Sequence, residues 1–221
     1  MFTACLGKQS PLTALTPDML LFAYTQGVFP MSESRDDPDV FWVDPKLRGI
    51  FPLHQFRISR SLARTLRRGH FKVTFDQAFE DVLHGCADRP ETWINPTIHT
   101  LYLALHKQGH AHSVEVWQNG NLVGGVYGIC IGAAFFGESM FSRADDASKV
   151  ALAYLVDRLR AGGFTLFDTQ FLTPHLASLG AVEIARRHYH QLLAQATAGS
   201  ASFAGAVPTG DQVVQRNSQT S

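Results

Sequence analysis

Cysteine is scarce in this chain: Cys5, Cys86 and Cys130 are scattered and odd in number. That pattern excludes a disulfide framework and fits a reducing compartment. Long apolar runs are missing too. The uncharged stretch Leu122 to Gly137 is interrupted by glycines and falls short of the about 20 residues of a membrane helix. The opening residues, Met1-Phe-Thr-Ala-Cys-Leu-Gly-Lys8, lack the charged-then-apolar order of a secretory signal. Nineteen basic and nineteen acidic residues cancel, so whole-chain charge selects no partner. No internal repeat is found. What remains is a globular composition, 45% hydrophobic and 17% charged over 221 residues, enough for one sizeable domain with at most a small appendage. A soluble, cytoplasmic, monomeric protein without membrane contact is expected.

Chemical motifs are sparse as well. Gly137-Glu138-Ser139-Met140-Phe141 looks superficially like a serine-hydrolase elbow, but Phe141 stands where the strained turn requires a second glycine. His106, His110 and His112 are loosely spaced like ligands, yet no cysteine or HExxH pattern joins them, so no metal site is expected. Phe141-Ser-Arg-Ala-Asp-Asp-Ala-Ser-Lys149 has no glycine and two carboxylates ahead of a helix. Such a turn is a poor cradle for the pyrophosphate of coenzyme A.

Charge is unevenly distributed. Between Lys46 and Lys72 lie eight of the nineteen cations and no acid, which leaves a net of minus eight elsewhere. Within that window, Arg57 to Gly69 reads as an amphipathic helix. Ile58, Leu62 and Leu66 form its apolar face, and Arg57, Arg60, Arg64, Arg67 and Arg68 form another. A guanidinium face free of carboxylates is either a solvated surface or a seat for a polyanion such as nucleic acid.

Along the chain, a helix is predicted over Pro17–Gln26, then a turn-rich stretch over Gly27–Pro45 with an exposed loop at Ser32–Pro38. A short strand at Phe71–Phe75 precedes a helix over Asp76–Gly85 capped by Asp76, and a helix from Asn95 or Thr97 to Gln108. His112–Gln118, a two-residue Asn119-Gly120 turn, Leu122–Ile131 and Ala133–Phe141 form a three-stranded meander. A helix from Asp145 to Ala161, a buried strand at Phe164–Asp168 and a helix over Arg186–Ala196 complete the domain. Residues 198–221 are poor in core formers and read as a disordered tail. The pattern predicts an α+β fold, a mixed sheet flanked by helices, compatible with acyltransferases of the GNAT type. Asp168 and Gln170 sit two apart at the end of the buried strand, where extended geometry points both to one side. They either serve chemistry or cap the next turn. Trp93 is by default a core residue.

Several segments together carry a resemblance: Gly27-Val-Phe-Pro30, Thr92-Trp-Ile94, Gly109-His-Ala-His-Ser-Val-Glu-Val-Trp117, Leu122-Val-Gly-Gly-Val-Tyr-Gly128, Phe136-Gly-Glu-Ser-Met140 with Phe141-Ser-Arg143, Asp146-Ala-Ser-Lys149 and His175-Leu-Ala-Ser-Leu-Gly180. From about Pro17 to Ala196 the chain resembles the bacterial leucyl/phenylalanyl-tRNA–protein transferases. The resemblance implies a small N-terminal domain (1–46), a GNAT-like catalytic domain (47–197) and transfer of Leu or Phe, less well Met, from aminoacyl-tRNA to proteins beginning with Arg or Lys. It implies an N-degron role in protein degradation and neither metal nor coenzyme A. By the same resemblance, Glu138, Asp168 and Gln170 belong to the reacting centre, and Val126, Met140, Leu152, Leu155, Leu159 and Phe167 line the aminoacyl pocket. Trp93 helps hold the terminal adenosine of the tRNA, and Met31 stands where the family has a companion aromatic. The arginine helix then holds the acceptor stem. A GNAT-type acetyltransferase and a non-enzymatic RNA-binding protein are the competing readings.

Overall fold

A computed structural model describes residues 5–6 and 15–219. Near the N-terminus, β1 (Cys5–Leu6), α1 (Pro17–Thr25), β2 (Phe29–Met31) and β3 (Phe41–Val43) form a small antiparallel sheet, ordered β1-β3-β2, with one helix. Thr16 caps α1 and Pro17 occupies its first turn, where a missing N–H costs nothing. Gly27 turns the chain from α1 into β2 with φ +82°. A Cβ there would lie 2.7 Å from the His190 ring, so both backbone and neighbour demand glycine.

At β4 (Leu47–Ile50) the chain enters a seven-stranded sheet. There follow α2 (Arg60–Arg68), β5 (Lys72–Phe75), α3 (Phe79–Ala87), α4 (Pro96–Lys107), β6 (Ala111–Gln118), β7 (Asn121–Ile131), β8 (Ala134–Ser142), α5 (Ala147–Ala161), β9 (Leu166–Gln170), α6 (Pro174–Ser178), β10 (Val182–Ala185), α7 (Arg186–Ala198) and α8 (Gly210–Ser218). The strand order is β10-β4-β9-β8-β7-β6-β5, and β8 and β9 are its parallel pair. The fold is thus a mixed α+β one, with a mixed sheet flanked by helices. Asn119 and Gly120 both have positive φ, the geometry of a tight hairpin turn between β6 and β7.

Each sheet face carries its own core. On one side Leu62 and Leu66 of α2, Leu152, Leu155 and Leu159 of α5 and Val213 of α8 pack with Phe51, Val126 and Phe167. On the other, Tyr24 of α1, Val82 of α3, Tyr102 of α4 and Tyr189 of α7 pack with Phe136 and Ile129.

Two expectations are corrected. Residues 198–221 are no structureless tail in their described part: α8 begins with a Thr209–Gln212 capping box, and Phe203, Val213 and Val214 are buried. Few apolar residues suffice because Phe203, Val213 and Val214 all point inward. Asp76 does not cap α3, which starts at Phe79. With φ +57° it turns back toward β6, where its carboxylate accepts from Ser113 N–H and meets His112 Nδ1. The eight-cation window is also not wholly a surface feature, since Arg48 is fully buried.

Candidate active site

Asp168 sits in β9 with no solvent exposure, and its oxygens are fully engaged. Arg48, brought alongside by the β4–β9 pairing, grips it with Nε 2.9 Å from Oδ1 and Nη2 2.7 Å from Oδ2. Tyr189 of α7 donates its hydroxyl to Oδ2 at 2.7 Å, and the Gln170 N–H donates to Oδ1 at 2.8 Å. The Arg48 guanidinium lies against the rings of Phe29 and Tyr189, 4.6 and 4.4 Å from their centroids. Its third nitrogen, Nη1, donates to the Gly27 carbonyl at 2.9 Å. An ion pair this deep is held by the completeness of its bonding rather than by any surplus of Coulomb energy.

The β4–β9 ladder pairs Ile50 with Asp168 and then Gly49 with Gln170, so Thr169 is an extra residue. Gln170 has φ +63°, a left-handed conformation held by its N–H bond to Asp168. The extended geometry expected from Asp168 to Gln170 is therefore broken by a bulge. A second bulge lies in β8: Gly128 pairs with Gly137 but Tyr127 with Ser139, leaving Glu138 unpaired. The parallel β8–β9 ladder stops just before both irregularities, at Phe136–Asp168. Across that parting, Gln170 Nε2 donates to Glu138 Oε1 at 3.0 Å.

Glu138 receives two further bonds, from Tyr24 Oη at 2.7 Å and Tyr102 Oη at 2.8 Å. Burial raises its pKa, the three donors pull it back, and the nearby Asp168 charge adds to the rise; the carboxyl is pushed up to about 7. Burial, and then the Glu138 charge, raise both tyrosines, which stay protonated donors. Glu138 and Gln170 keep 8% and 7% exposure, whereas Asp168 keeps none. The first two reach the surface; Asp168 does not. Chemically the cluster is a carboxylate poised near neutrality beside a fixed amide.

Glu138, Asp168 and Gln170 are thus joined by hydrogen bonds, on the face covered by α1, α4 and α7. The arginines do not join them there. Arg60, Arg64, Arg67 and Arg68 border a surface groove of about 400 Å³ on α2, which covers the opposite face, and Arg57 is exposed just before that helix. Arg67 is moreover paired with Asp211 of α8 at 3.2 Å. Of the six pocket residues, Val126, Leu152, Leu155, Leu159 and Phe167 are buried in the core beneath α5, and Met140 packs against it half-buried. Phe167 and Asp168, adjacent in β9, thereby serve opposite faces. Met31 and Trp93 are both half-buried on the tyrosine side, and Phe41 stands directly opposite Met31. Ser139 lies mid-strand and accepts from Arg89 Nη2, unlike an elbow nucleophile. His106 stacks on Phe79 and bonds the Ala111 carbonyl, while His112 pairs with Asp76.

The family profile described as leucyl/phenylalanyl-tRNA protein transferase matches residues 50–194, and that of its N-terminal domain matches residues 13–46. The chain belongs to this family. A leucyl/phenylalanyl-tRNA–protein transferase from Cereibacter sphaeroides is 65% identical over 94% of this chain and 98% of its own length. One from Ruegeria pomeroyi is 64% identical over 94% and 100%, and one from Rhodopseudomonas palustris 57% over 88% and 88%. A solved structure titled FemX superposes with a TM-score of 0.47 at 12% identity, over 80% of this chain and 71% of the other.

In this member of the transferase family, four site residues escape a reading by motif. Arg48 is hidden in the basic run, where nothing marks it as the buried member. Tyr24, Tyr102 and Tyr189 reach the cluster from three helices distant in sequence, and only their places on the apolar faces of those helices hinted at inward side chains. No helix among the described residues is long and apolar enough to cross a membrane.

Proposed function

We propose that this chain moves Leu or Phe, and less well Met, from aminoacyl-tRNA to the N-terminal Arg or Lys of acceptor proteins. The carrying observation is the match to both family profiles, 13–46 and 50–194, together with 64–65% identity to transferases along nearly their whole length. In this reading the chain is a monomeric cytoplasmic enzyme with a small N-terminal domain, residues 1–46, ahead of a GNAT-like catalytic domain, residues 47–197. The early end of the parallel β8–β9 ladder supports it by leaving Glu138 and Gln170 outside the strand pairing, where their side chains meet.

The aminoacyl side chain enters the apolar region of Val126, Met140, Leu152, Leu155, Leu159 and Phe167, and its ester carbonyl rests at the parting of β8 and β9. The acceptor amine, whose ordinary pKa is about 7.7–8.0, approaches Glu138 and Gln170 from the tyrosine side. Its nitrogen bonds to the carbonyl carbon while the bond to the ribose oxygen breaks. Glu138 takes the proton shed by the amine and passes it to the leaving ribose oxygen, which becomes a hydroxyl. Asp168 is a positioning residue: both its oxygens are committed, and it holds Gln170 in place. The Gln170 amide orients the amine, and alignment of this kind lowers barriers by up to about 7–11 kcal/mol. Trp93 and Met31 pack on the terminal adenosine, and the arginines of α2 with Arg57 hold backbone phosphates without reading sequence.

The test is to mix labelled leucyl-tRNA with an Arg-initiated peptide and the purified chain. Label on the peptide's amino terminus is the expected result. Its absence, or transfer of Asp or Lys as efficient as that of Leu, overturns the reading.

A further inference from the structure

Away from this centre, α3 and α4 bring three ligating side chains together. Glu80 and His84 are four residues apart on α3 and so share one face of that helix. His99, near the start of α4, meets them from across the helix contact, its ring 4.7 Å from that of His84. One ligating atom from each of the three lies within 4.8 Å of the others, the only such group of His, Cys, Asp or Glu among the described residues. His84 Nε2 and Glu80 Oε1 are 3.9 Å apart.

We propose that Glu80, His84 and His99 form a binding site for a divalent transition metal of the zinc class. Two imidazoles and a carboxylate suit zinc far better than magnesium or calcium, which take oxygen donors. Tetrahedral zinc with bonds of about 2.0–2.2 Å needs its ligand atoms about 3.4 Å apart. Glu80 and His84, with side chains 61% and 62% exposed, are free to swing that short distance, while His99 is held half-buried.

A second observation points to a ligand. His99 Nε2 is buried and has no hydrogen-bond partner. Buried polar atoms without partners are uncommon, and a surface pairing of Glu80 with His84 leaves this one unexplained. His84 also borders a cavity of about 720 Å³ shared with Asp81, Asp88, Arg35 and Arg143. A metal here ties α3 to α4 three residues before Tyr102, a donor to Glu138.

The proposal is tested with the full chain, stripped with a chelator and titrated with Zn²⁺ by calorimetry, and with Co²⁺ by visible absorption. Wild type should bind one equivalent of zinc and give the intense bands of tetrahedral cobalt. At a hundredfold excess over Kd, zinc should raise Tm by about 5–10 °C. His84→Ala and His99→Gln should each weaken binding by about tenfold or more, while His188→Ala, on α7, leaves it unchanged. Since Glu80 and His84 are exposed, Glu80→Gln and His84→Ala keep the test decisive even if His99→Gln folds poorly. Binding no tighter in wild type than in the His84→Ala/His99→Gln double variant overturns the site. So does loss of binding on removing His188 alone.

Discussion

At the scale of single residues, the two carboxylates of the candidate site differ in what surrounds them. The Glu138 carboxyl, ordinarily near 4.3, is pushed up to about 7 in the folded protein. The native state therefore holds this proton more tightly than the unfolded chain does. Its contribution to stability is complete below about pH 4.3 and is lost as pH rises through about 7. Glu138→Gln, which mimics the protonated form, should match wild type in thermal melts at pH 4 and exceed it at pH 8. Transfer should nevertheless fall by about a hundredfold or more, and the acidic limb of the pH–rate profile should vanish. Asp168 answers to its partner instead. Arg48→Ala strands a fully buried negative charge, and urea denaturation should record a loss of about 3–5 kcal/mol. Arg48→Lys retains charge but cannot span Asp168 and the Gly27 carbonyl together, so it should fall between the two. None of this was legible from the basic run. A sequence lists cations, but which of them turns inward is decided by strands that it does not show pairing.

Among the elements, the clearest in sequence were those governed by a strict period or a strict turn. The β6–β7–β8 meander follows from alternation and from Asn119-Gly120, and α2 from the four-residue spacing of Leu62 and Leu66 between a Ser59 cap and a left-handed Gly69, although the helix starts at Arg60 and leaves Arg57 and Ile58 before it. By contrast β4, Leu47-Arg-Gly-Ile50, contains a buried arginine and a glycine, and no pattern of hydrophobicity marks it as an inner strand. Helix α8 was missed because its apolar content is confined to Val213 and Val214. Those two residues carry weight all the same. Truncation after Val207 should remove roughly 3–6 kcal/mol of apolar burial and lower Tm by about 10 °C or more. On α2, the triple change Arg60→Glu, Arg64→Glu and Arg67→Glu should weaken every tRNA alike. The slope of log Kd against log salt should shrink by about 2–3. Selective loss of leucyl-tRNA alone contradicts a phosphate-binding role for this helix.

Seen as a whole molecule, the sheet divides the labour. Its α5 side offers apolar volume and the arginine helix; its α4 side holds the titrating groups. The motifs pointed to residues that lie on both sides, but their separation by one layer of strands emerged only from topology, because neighbours such as Phe167 and Asp168 alternate across the pleat. Substituting Phe167→Ala tests the division. It should cost about 3–5 kcal/mol in stability and admit bulkier aminoacyl groups, read as a higher ratio of Trp to Leu transfer, while the acidic limb set by Glu138 stays in place. A shifted limb instead means that the two sides are not independent.

The Arg48 contact with the Gly27 carbonyl has a further consequence. This one guanidinium is shared between the N-terminal turn and β9. Pulling the first sheet away strips a bond from a cation that has no water to replace it. Calorimetry should accordingly record one melting endotherm for both family-matched regions, and amides of β2 and β9 should exchange with deuterium at a common rate.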